Sequence, residues 1–407
     1  MHMDFPDRPQ RNYRKRAHPD DVEAENVPPS PKRIAPCPNV PFEVWQRRSL
    51  NARPPGGHYS KAQGSKYGMK LIEKSGLVLQ QSLVPNHVRA DLPHPQTVLY
   101  SPDKISMIWG TGGTGVGLKN GGNTCYLNSV LQVLFHIPAV VQMLEEELQP
   151  HCLCTLCLLC VIRSQLQNSG STVEPHGLID QIDNIFGRAV KGKQEDPHEF
   201  LRRLGEKIEI DFLQHRGLRS SDLDQASAET TAWHQIFGGY MKYTVTCSKC
   251  KSDSETVQHF QDLRVPVVQF KTLQGAVNSL FKAEILEDYM CSCNNKKKRT
   301  CKQTISIEKA PIVLTIQLKR FDNEGNKVLT EVSIPKQLEL HSKFPYRLSG
   351  IVHHLGENIN TGHYKAVVKC STLGFFSFDD QNVERVTWKS ASTVPSPYLI
   401  FYILDQK

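Results

Sequence analysis

What the 407-residue sequence lacks narrows the field first. No apolar run approaches the roughly 20 residues that a helix needs to cross a bilayer, and the longest, Cys152 to Ile162, is far shorter. The first residues are polar and proline-rich with no apolar segment, so no secretory signal is read there. Without one, the twelve cysteines point away from a disulfide framework and towards metal binding or catalysis in a reducing compartment. Charge of one sign is also scarce. A net +8 is mild for this length, and aromatic and basic residues do not interleave, which disfavours a nucleic-acid surface. Gly112-Gly113-Thr114-Gly115-Val116-Gly117 has the look of a phosphate loop, but no Gly-Lys-Ser/Thr follows, so no nucleotide site is expected. There are no internal repeats.

What is present reads as a soluble globular protein with a tail. Hydrophobic residues make up 39% and charged residues 22%, enough to bury a sizeable core. Residues 1–65 are rich in Pro, Arg, Asp and Asn and show no helical or strand period, so they cannot bury enough apolar surface to offset the entropy of ordering them. Arg14-Lys15-Arg16 and Lys32-Arg33 are spaced like a bipartite nuclear import signal, or are simply a solvated basic tail; the expected location is the nucleus, including the nucleolus, with the cytoplasm as the alternative. Ser30-Pro31-Lys32-Arg33 also suits a proline-directed kinase, whose phosphate would place negative charge beside the second cluster.

From about residue 95 the chain reads as folded. In Tyr126 to Phe135, Leu127, Val130, Leu131, Leu134 and Phe135 follow the helical spacing, and Pro138 closes the segment. Phe200 to Phe212 repeats the pattern with Leu201, Leu204, Ile208 and Phe212. Later segments alternate with period two: Val313 to Phe321 and Tyr364 to Lys369 predict half-buried strands, and Leu399 to Leu404 a central one. Helices first and strands later predict an α+β fold.

Gly117-Leu118-Lys119-Asn120-Gly121-Gly122-Asn123-Thr124-Cys125-Tyr126 delivers a cysteine to the first turn of a helix. The free N–H groups and macrodipole of a helix N-terminus favour a thiolate. Glycines let backbone donors approach a carbonyl oxygen, and the Asn120 amide is placed to donate to an oxyanion. A thiolate enzyme also needs a base and a group to orient it. Among 16 histidines, His363 stands out, directly after Gly362 at the entry to a strand. Phe376-Ser377-Phe378-Asp379-Asp380 would form the neighbouring strand of a hairpin, so an aspartate can reach the ring.

These segments together resemble the ubiquitin-specific proteases. Gly117-Leu118-x-Asn120-x-Gly122-Asn123-Thr124-Cys125-Tyr126-x-Asn128-x-x-Leu131-Gln132 is similar to that family's cysteine box, and the segments around His363 and Asp379 to its histidine box. The resemblance covers roughly residues 95–405 and looks closest to the nuclear and nucleolar subgroup acting on histones or ribosomes. It implies Cys125 as nucleophile, Asn120 as oxyanion donor, His363 as base and Asp379 as its orienting acid, with Asp380 assisting the oxyanion or partly replacing Asp379. Phe376 stands where the family often has Trp. Gly192-Lys193-Gln194-Glu195-Asp196-Pro197-His198-Glu199-Phe200-Leu201 is similar to a third segment, whose Asp contacts an arginine in ubiquitin's tail; Asp196 inherits that role. Read alone, the same residues form a helix cap, with Asp196 as N-cap and Pro197 at N1. Gly362 and Tyr364 are expected along the substrate path.

The implied architecture is a papain-like core. After the 1–65 tail and a lead-in over 66–110 comes a catalytic domain over 111–405, with a helical thumb at about 117–230, β fingers at about 231–310 and a β palm at about 311–405. The implied reaction is hydrolysis of the isopeptide bond after ubiquitin's C-terminal Gly, with ubiquitin and ubiquitinated proteins as partners and no membrane. Rival readings are a protease for a ubiquitin-like modifier and a non-catalytic ubiquitin-binding scaffold; the intact set Cys125, Asn120, His363 and Asp379 disfavours the scaffold.

Cys247-Ser248-Lys249-Cys250 with Cys291-Ser292-Cys293 suggests a structural zinc, matching the family's paired knuckles at the fingertips. The Cys-x-Cys spacing departs from the family's pattern, and Cys301 is a stand-in ligand. A second cluster, Cys152-x-Cys154-x-x-Cys157-x-x-Cys160 beside His151, is flanked by Leu153, Leu156, Leu158 and Leu159 and reads as buried core, with a metal site as the alternative.

Overall fold

The computed structural model describes residues 92–105, 115–149, 151–291, 298–321, 326–358 and 361–405. The tail, the basic clusters, the glycine run before Gly115 and Cys293 lie outside them. Among the described residues, no single helix is long and apolar enough to cross a membrane.

Helices dominate the first half. Cys125–Leu134 is buried at every residue, and Pro138 begins the next helix, Pro138–Glu147, at its first turn. Thr155–Asn168, His176–Asp180 and Ile182–Phe186 follow, then Pro197–His215, capped by the Asp196 carboxylate on the N–H groups of His198 and Glu199. That is the cap anticipated from sequence. Ala232–Phe237 ends the helical region.

Two sheets follow. The first is antiparallel in the order β2-β1-β5-β4, from β1 (Gly239–Cys247), β2 (Asp253–Phe260), β4 (Glu284–Met290) and β5 (Lys298–Lys309). The second runs β11-β10-β9-β8-β12-β6-β3, with β7 (Gln337–Leu340) beside β8. Its members are β3 (Asp262–Pro266), β6 (Val313–Lys319), β8 (Phe344–Asn358), β9 (Thr361–Cys370), β10 (Gly374–Asp379), β11 (Asn382–Val386) and β12 (Pro397–Leu404). β3 pairs parallel to β6, so the chain visits the large sheet between two visits to the small one. β12 lies between β8 and β6 and is buried from Pro397 to Ile403, as a continuous apolar run requires.

The Cys125 helix packs directly on the large sheet. At Gly350 of β8, a Cβ would lie 2.8 Å from Val133 Cγ1, so glycine sets this close approach. On its other side Tyr126 meets Phe186 and Phe200 edge-on, with centroids 6.3 and 5.7 Å apart. The nucleophile segment is thus clamped between sheet and helices, and β9 with β10 forms the adjoining wall.

Candidate active site

Three backbone features bring the site together. Cys125 is the first residue of its helix and only 4% exposed. His363 stands near the start of β9, and Asp379 ends β10, one residue beyond the last β9–β10 pair, Phe378 with Ala366. His363 Nε2 lies 2.6 Å from Asp379 Oδ1. The Cys125 thiol is the other group that acts on the ring. The hydrogen bond with Cys125 is the largest influence on the imidazole. It outweighs partial desolvation and, with Asp379, raises the pKa to about 9.

Asn120 is held at both ends. Its Oδ1 accepts from the N–H groups of Gly122 at 2.9 Å and Thr124 at 3.2 Å, which orients the amide, and Nδ2 donates to Asp380 Oδ2 at 2.8 Å. The other carboxylate oxygen of Asp380 accepts from Asn128 Nδ2 at 2.9 Å. Asp380 thus braces two amides of the nucleophile segment. Its φ of 49° belongs to the tight turn between β10 and β11. That turn meets the cysteine loop through Leu118 N–H to Asp380 O at 3.0 Å. A Cβ on Gly117 would come within 2.4 Å of Gln381 O, so only glycine allows the contact.

Other expected residues fall differently. Asp196 is half-buried: Oδ1 caps the helix at 2.7 and 2.9 Å, while Oδ2 accepts from the Tyr398 hydroxyl. Gly362 is packed from within, since a Cβ there would lie 2.5 Å from His354 Nε2 and 2.7 Å from Leu355 O. Its carbonyl accepts from Gln194 Nε2 at 2.8 Å. Tyr364 does not line an open path. It is 1% exposed, lies 4.8 Å from the His354 ring, and its buried hydroxyl lacks a hydrogen-bond partner. The strand alternation that exposes His363 turns Tyr364 inward. Sequence reasoning missed Tyr398 and Gln194, whose partners lie 202 and 168 positions away.

Of the finger cysteines, Cys247, Cys250 and Cys291 bring their sulfurs within 4.8 Å of one another, a group able to hold a metal ion. Cys250 and Cys291 Sγ are 3.7 Å apart. The N–H groups of Cys250 and Lys249 point at Cys247 and lower its thiol pKa. Cys301 sits opposite Cys247 across β1 and β5 and packs in the same cluster without joining the group of three.

The second cysteine cluster is only partly core. Cys160 is buried, with Sγ 2.9 Å from Leu144 O and 3.1 Å from Leu156 O. Cys152, Cys154 and Cys157 instead gather around His215. The exposed His151 beside them in sequence takes no part in the group. The histidine of the group comes instead from the end of the Pro197–His215 helix.

The sequence matches the family described as ubiquitin carboxyl-terminal hydrolase over residues 116–402. Ubiquitin carboxyl-terminal hydrolase 36 of Drosophila grimshawi is 37% identical over 343 residues, covering 77% of this chain and 27% of the relative. The protein of the same name from Drosophila pseudoobscura pseudoobscura is 38% identical over 342 residues, covering 77% and 32%. The chain therefore spans about a third or less of the length of these curated relatives. Among solved structures, the SAGA DUB module Ubp8/Sgf11/Sus1/Sgf73 bound to monoubiquitin matches with a TM-score of 0.63 at 26% identity, over 74% of this chain and 72% of that one. The same module bound to ubiquitin aldehyde gives 0.62 at 25%, over 74% and 72%. The chain belongs to the ubiquitin carboxyl-terminal hydrolase family and has the α+β fold of its ubiquitin-specific proteases, thiol-dependent deubiquitinating enzymes.

Proposed function

We propose that this chain hydrolyses the isopeptide bond between the C-terminal Gly of ubiquitin and a lysine of a conjugated protein, with Cys125 as nucleophile, His363 as acid and base, and Asp379 as the residue that orients the ring. The observation that carries this reading is His363, bonded to Asp379 through Nε2 at 2.6 Å, with the Cys125 thiol close enough to raise the ring's pKa. The Cys125 sulfur bonds to the glycine carbonyl carbon, and the oxyanion forms beside the Asn120 amide and the backbone donors at the helix start. The C–N bond breaks as His363 gives its proton to the leaving lysine amine. Water then attacks the thioester carbonyl as His363 takes up its proton, the C–S bond breaks to restore the Cys125 thiolate, and the ubiquitin carboxylate leaves. Asp196 receives the arginine of the ubiquitin tail on carboxylate lone pairs not used by the cap or by Tyr398.

Residues 117–230, 231–310 and 311–405 act as thumb, fingers and palm. Cys247, Cys250 and Cys291, with Cys293 as the fourth ligand, fit a structural zinc at the fingertips. Three converging sulfurs with N–H groups directed at one of them are the donor set such a site needs. The ion would clamp the β1–β2 turn to β4 and take no part in the chemistry. The basic clusters in residues 1–65 support import into the nucleus, and a reporter carrying this segment that stays cytoplasmic would refute that.

The decisive experiment exposes the full chain to ubiquitin bearing a thiol-reactive electrophile at its C-terminus. A covalent adduct should form with the parent and be absent with Cys125→Ala. A parent that stays unlabelled, or a labelled variant, sinks the mechanism.

A further inference from the structure

The group at the junction of the Thr155–Asn168 and Pro197–His215 helices has the form of a second metal centre, away from both the triad and the fingers. Cys152, Cys154 and Cys157 Sγ lie 3.9, 3.3 and 3.8 Å from His215 Nε2. All four donor atoms fall within 4.8 Å of one another. With Zn–S near 2.3 Å and Zn–N near 2.0–2.1 Å, a tetrahedral ion has N–S and S–S edges of roughly 3.5–3.8 Å. The three N–S distances are close to that, and all the sulfurs lie within 4.8 Å of one another.

Three further observations point to an ion. The first is the backbone: the N–H groups of Cys154, Cys157 and Gln149 direct themselves at the sulfurs of Cys152, Cys154 and Cys157, at 3.5, 3.5 and 3.4 Å. Such donors would also stabilise thiolates bound to a cation, and the one from Cys157 N–H at the same time caps the Thr155–Asn168 helix. The second is burial. The His215 side chain is 2% exposed, Cys157 is 0% and Cys152 is 8%. The third is the far side of the ring. His215 Nδ1 is buried without a hydrogen-bond partner and faces Glu147 Oε2 at 3.7 Å. Glu147 is in turn gripped by Arg216 at 2.6 and 2.8 Å. A carboxylate behind a histidine whose other nitrogen faces the ligand group is the usual support of a metal-bound imidazole.

We propose that Cys152, Cys154, Cys157 and His215 bind a structural zinc ion that ties the start of the Thr155–Asn168 helix to the end of the Pro197–His215 helix. Three sulfurs and one imidazole select zinc over the hard cations, and four protein ligands leave no open position for chemistry. Cys152 carries a disulfide in the structure, so it joins as a ligand only after reduction. A thiol or phosphine reductant supplies two electrons and two protons per disulfide, and the ion then displaces the thiol protons to solvent. The site therefore fills in a reducing compartment and gives up one ligand on oxidation.

The test uses the full chain, purified with a phosphine reductant, with zinc measured by elemental analysis. Cys154→Ser/Cys157→Ser should hold one equivalent of zinc per chain less than the parent, whatever the fingers bind. Zinc contents that agree would overturn the proposal. A second arm replaces zinc with cobalt(II) and does not depend on that variant folding. His215→Cys keeps four ligands, so it should retain the metal while its d–d bands move towards those of an all-sulfur site. A cobalt spectrum unchanged by His215→Cys would equally overturn it.

Discussion

Asp380 accepts from Asn120, Nδ2 to Oδ2 at 2.8 Å, and at the same time from Asn128 at 2.9 Å. The second aspartate of the Asp379-Asp380 pair thus belongs to the cysteine loop, and the first to the histidine. Two neighbouring carboxylates have separate tasks because the β10–β11 turn begins between them, with Asp380 at a φ of 49°.

This division predicts separable defects. Asp380→Ala frees the Asn120 amide to swing away from the oxyanion position, so turnover should fall by about 10²–10³, the usual loss for one oxyanion donor. KM for a fluorogenic ubiquitin amide should stay near the parental value, because the ubiquitin-binding surface is untouched. Asp380 is a positioning residue here, and a variant with parental turnover would remove it from that role. Asp379→Ala should lower turnover by about 10²–10⁴ as the base loses its orientation.

Gly117→Ala tests how the loop is seated. Its Cβ would meet Gln381 O at 2.4 Å and Gln381 Cα at 2.5 Å, both backbone atoms that cannot rotate aside. The loop must retreat and give up the bond from Leu118 N–H to Asp380 O. Overpacking of this kind costs about 1–3 kcal/mol, so the urea midpoint should drop modestly. Activity should fall further than stability, since the displaced segment carries Asn120 and Cys125. Equal effects on both would show that the contact is merely structural.

Much of this site was legible because its chemistry is local. Asn120 through Cys125 lie on one turn, and alternation along β9 and β10 was enough to bring His363 to Asp379. What escaped notice depends on distant closure. Tyr398 reaches Asp196 only because β12 is threaded between β8 and β6. His215 reaches Cys154 across 61 positions, whereas His151 lies beside the cluster in sequence yet remains exposed. Tyr364 was misplaced for a simpler reason: being next to a catalytic residue on a strand means facing the opposite side. Similarly, β3 joins the large sheet by a parallel pairing that nothing in its own five residues announces.

The core of the large sheet should be acid-sensitive. His353 is 1% exposed, with Nδ1 3.2 Å from Pro395 O and Nε2 unpartnered. Burial lowers its pKa from 6.5 to about 3, against the opposing pull of the Pro395 carbonyl. Between those values the unfolded chain takes up a proton that the folded chain refuses. The contribution is therefore complete above about 6.5 and declines as pH falls towards 3, at up to about 1.4 kcal/mol per pH unit. Urea midpoints should already drop between neutral pH and about 5, above the range where exposed carboxylates titrate. His353→Gln should flatten that slope, and an unchanged slope would assign the acid sensitivity to other groups.

The catalytic histidine titrates in the opposite direction. Its bond to Cys125 and then to Asp379 raises His363 from 6.5 to about 9, so the imidazolium persists through neutral pH and is lost as pH rises through 9. Breakdown of the first tetrahedral intermediate needs that proton for the leaving lysine amine. A lysine isopeptide is the demanding substrate, because its amine cannot depart as an anion. The profile of kcat/KM for an isopeptide-linked diubiquitin should therefore fall on an alkaline limb near pH 9. Asp379→Asn weakens the support for the charged ring and should move that limb to lower pH. For an ester of ubiquitin's C-terminus, whose leaving group departs with far less help, the limb should be shallower in both proteins. An isopeptide profile that stays flat through pH 10, or a limb that Asp379→Asn leaves in place, would mean that His363 does not deliver the proton.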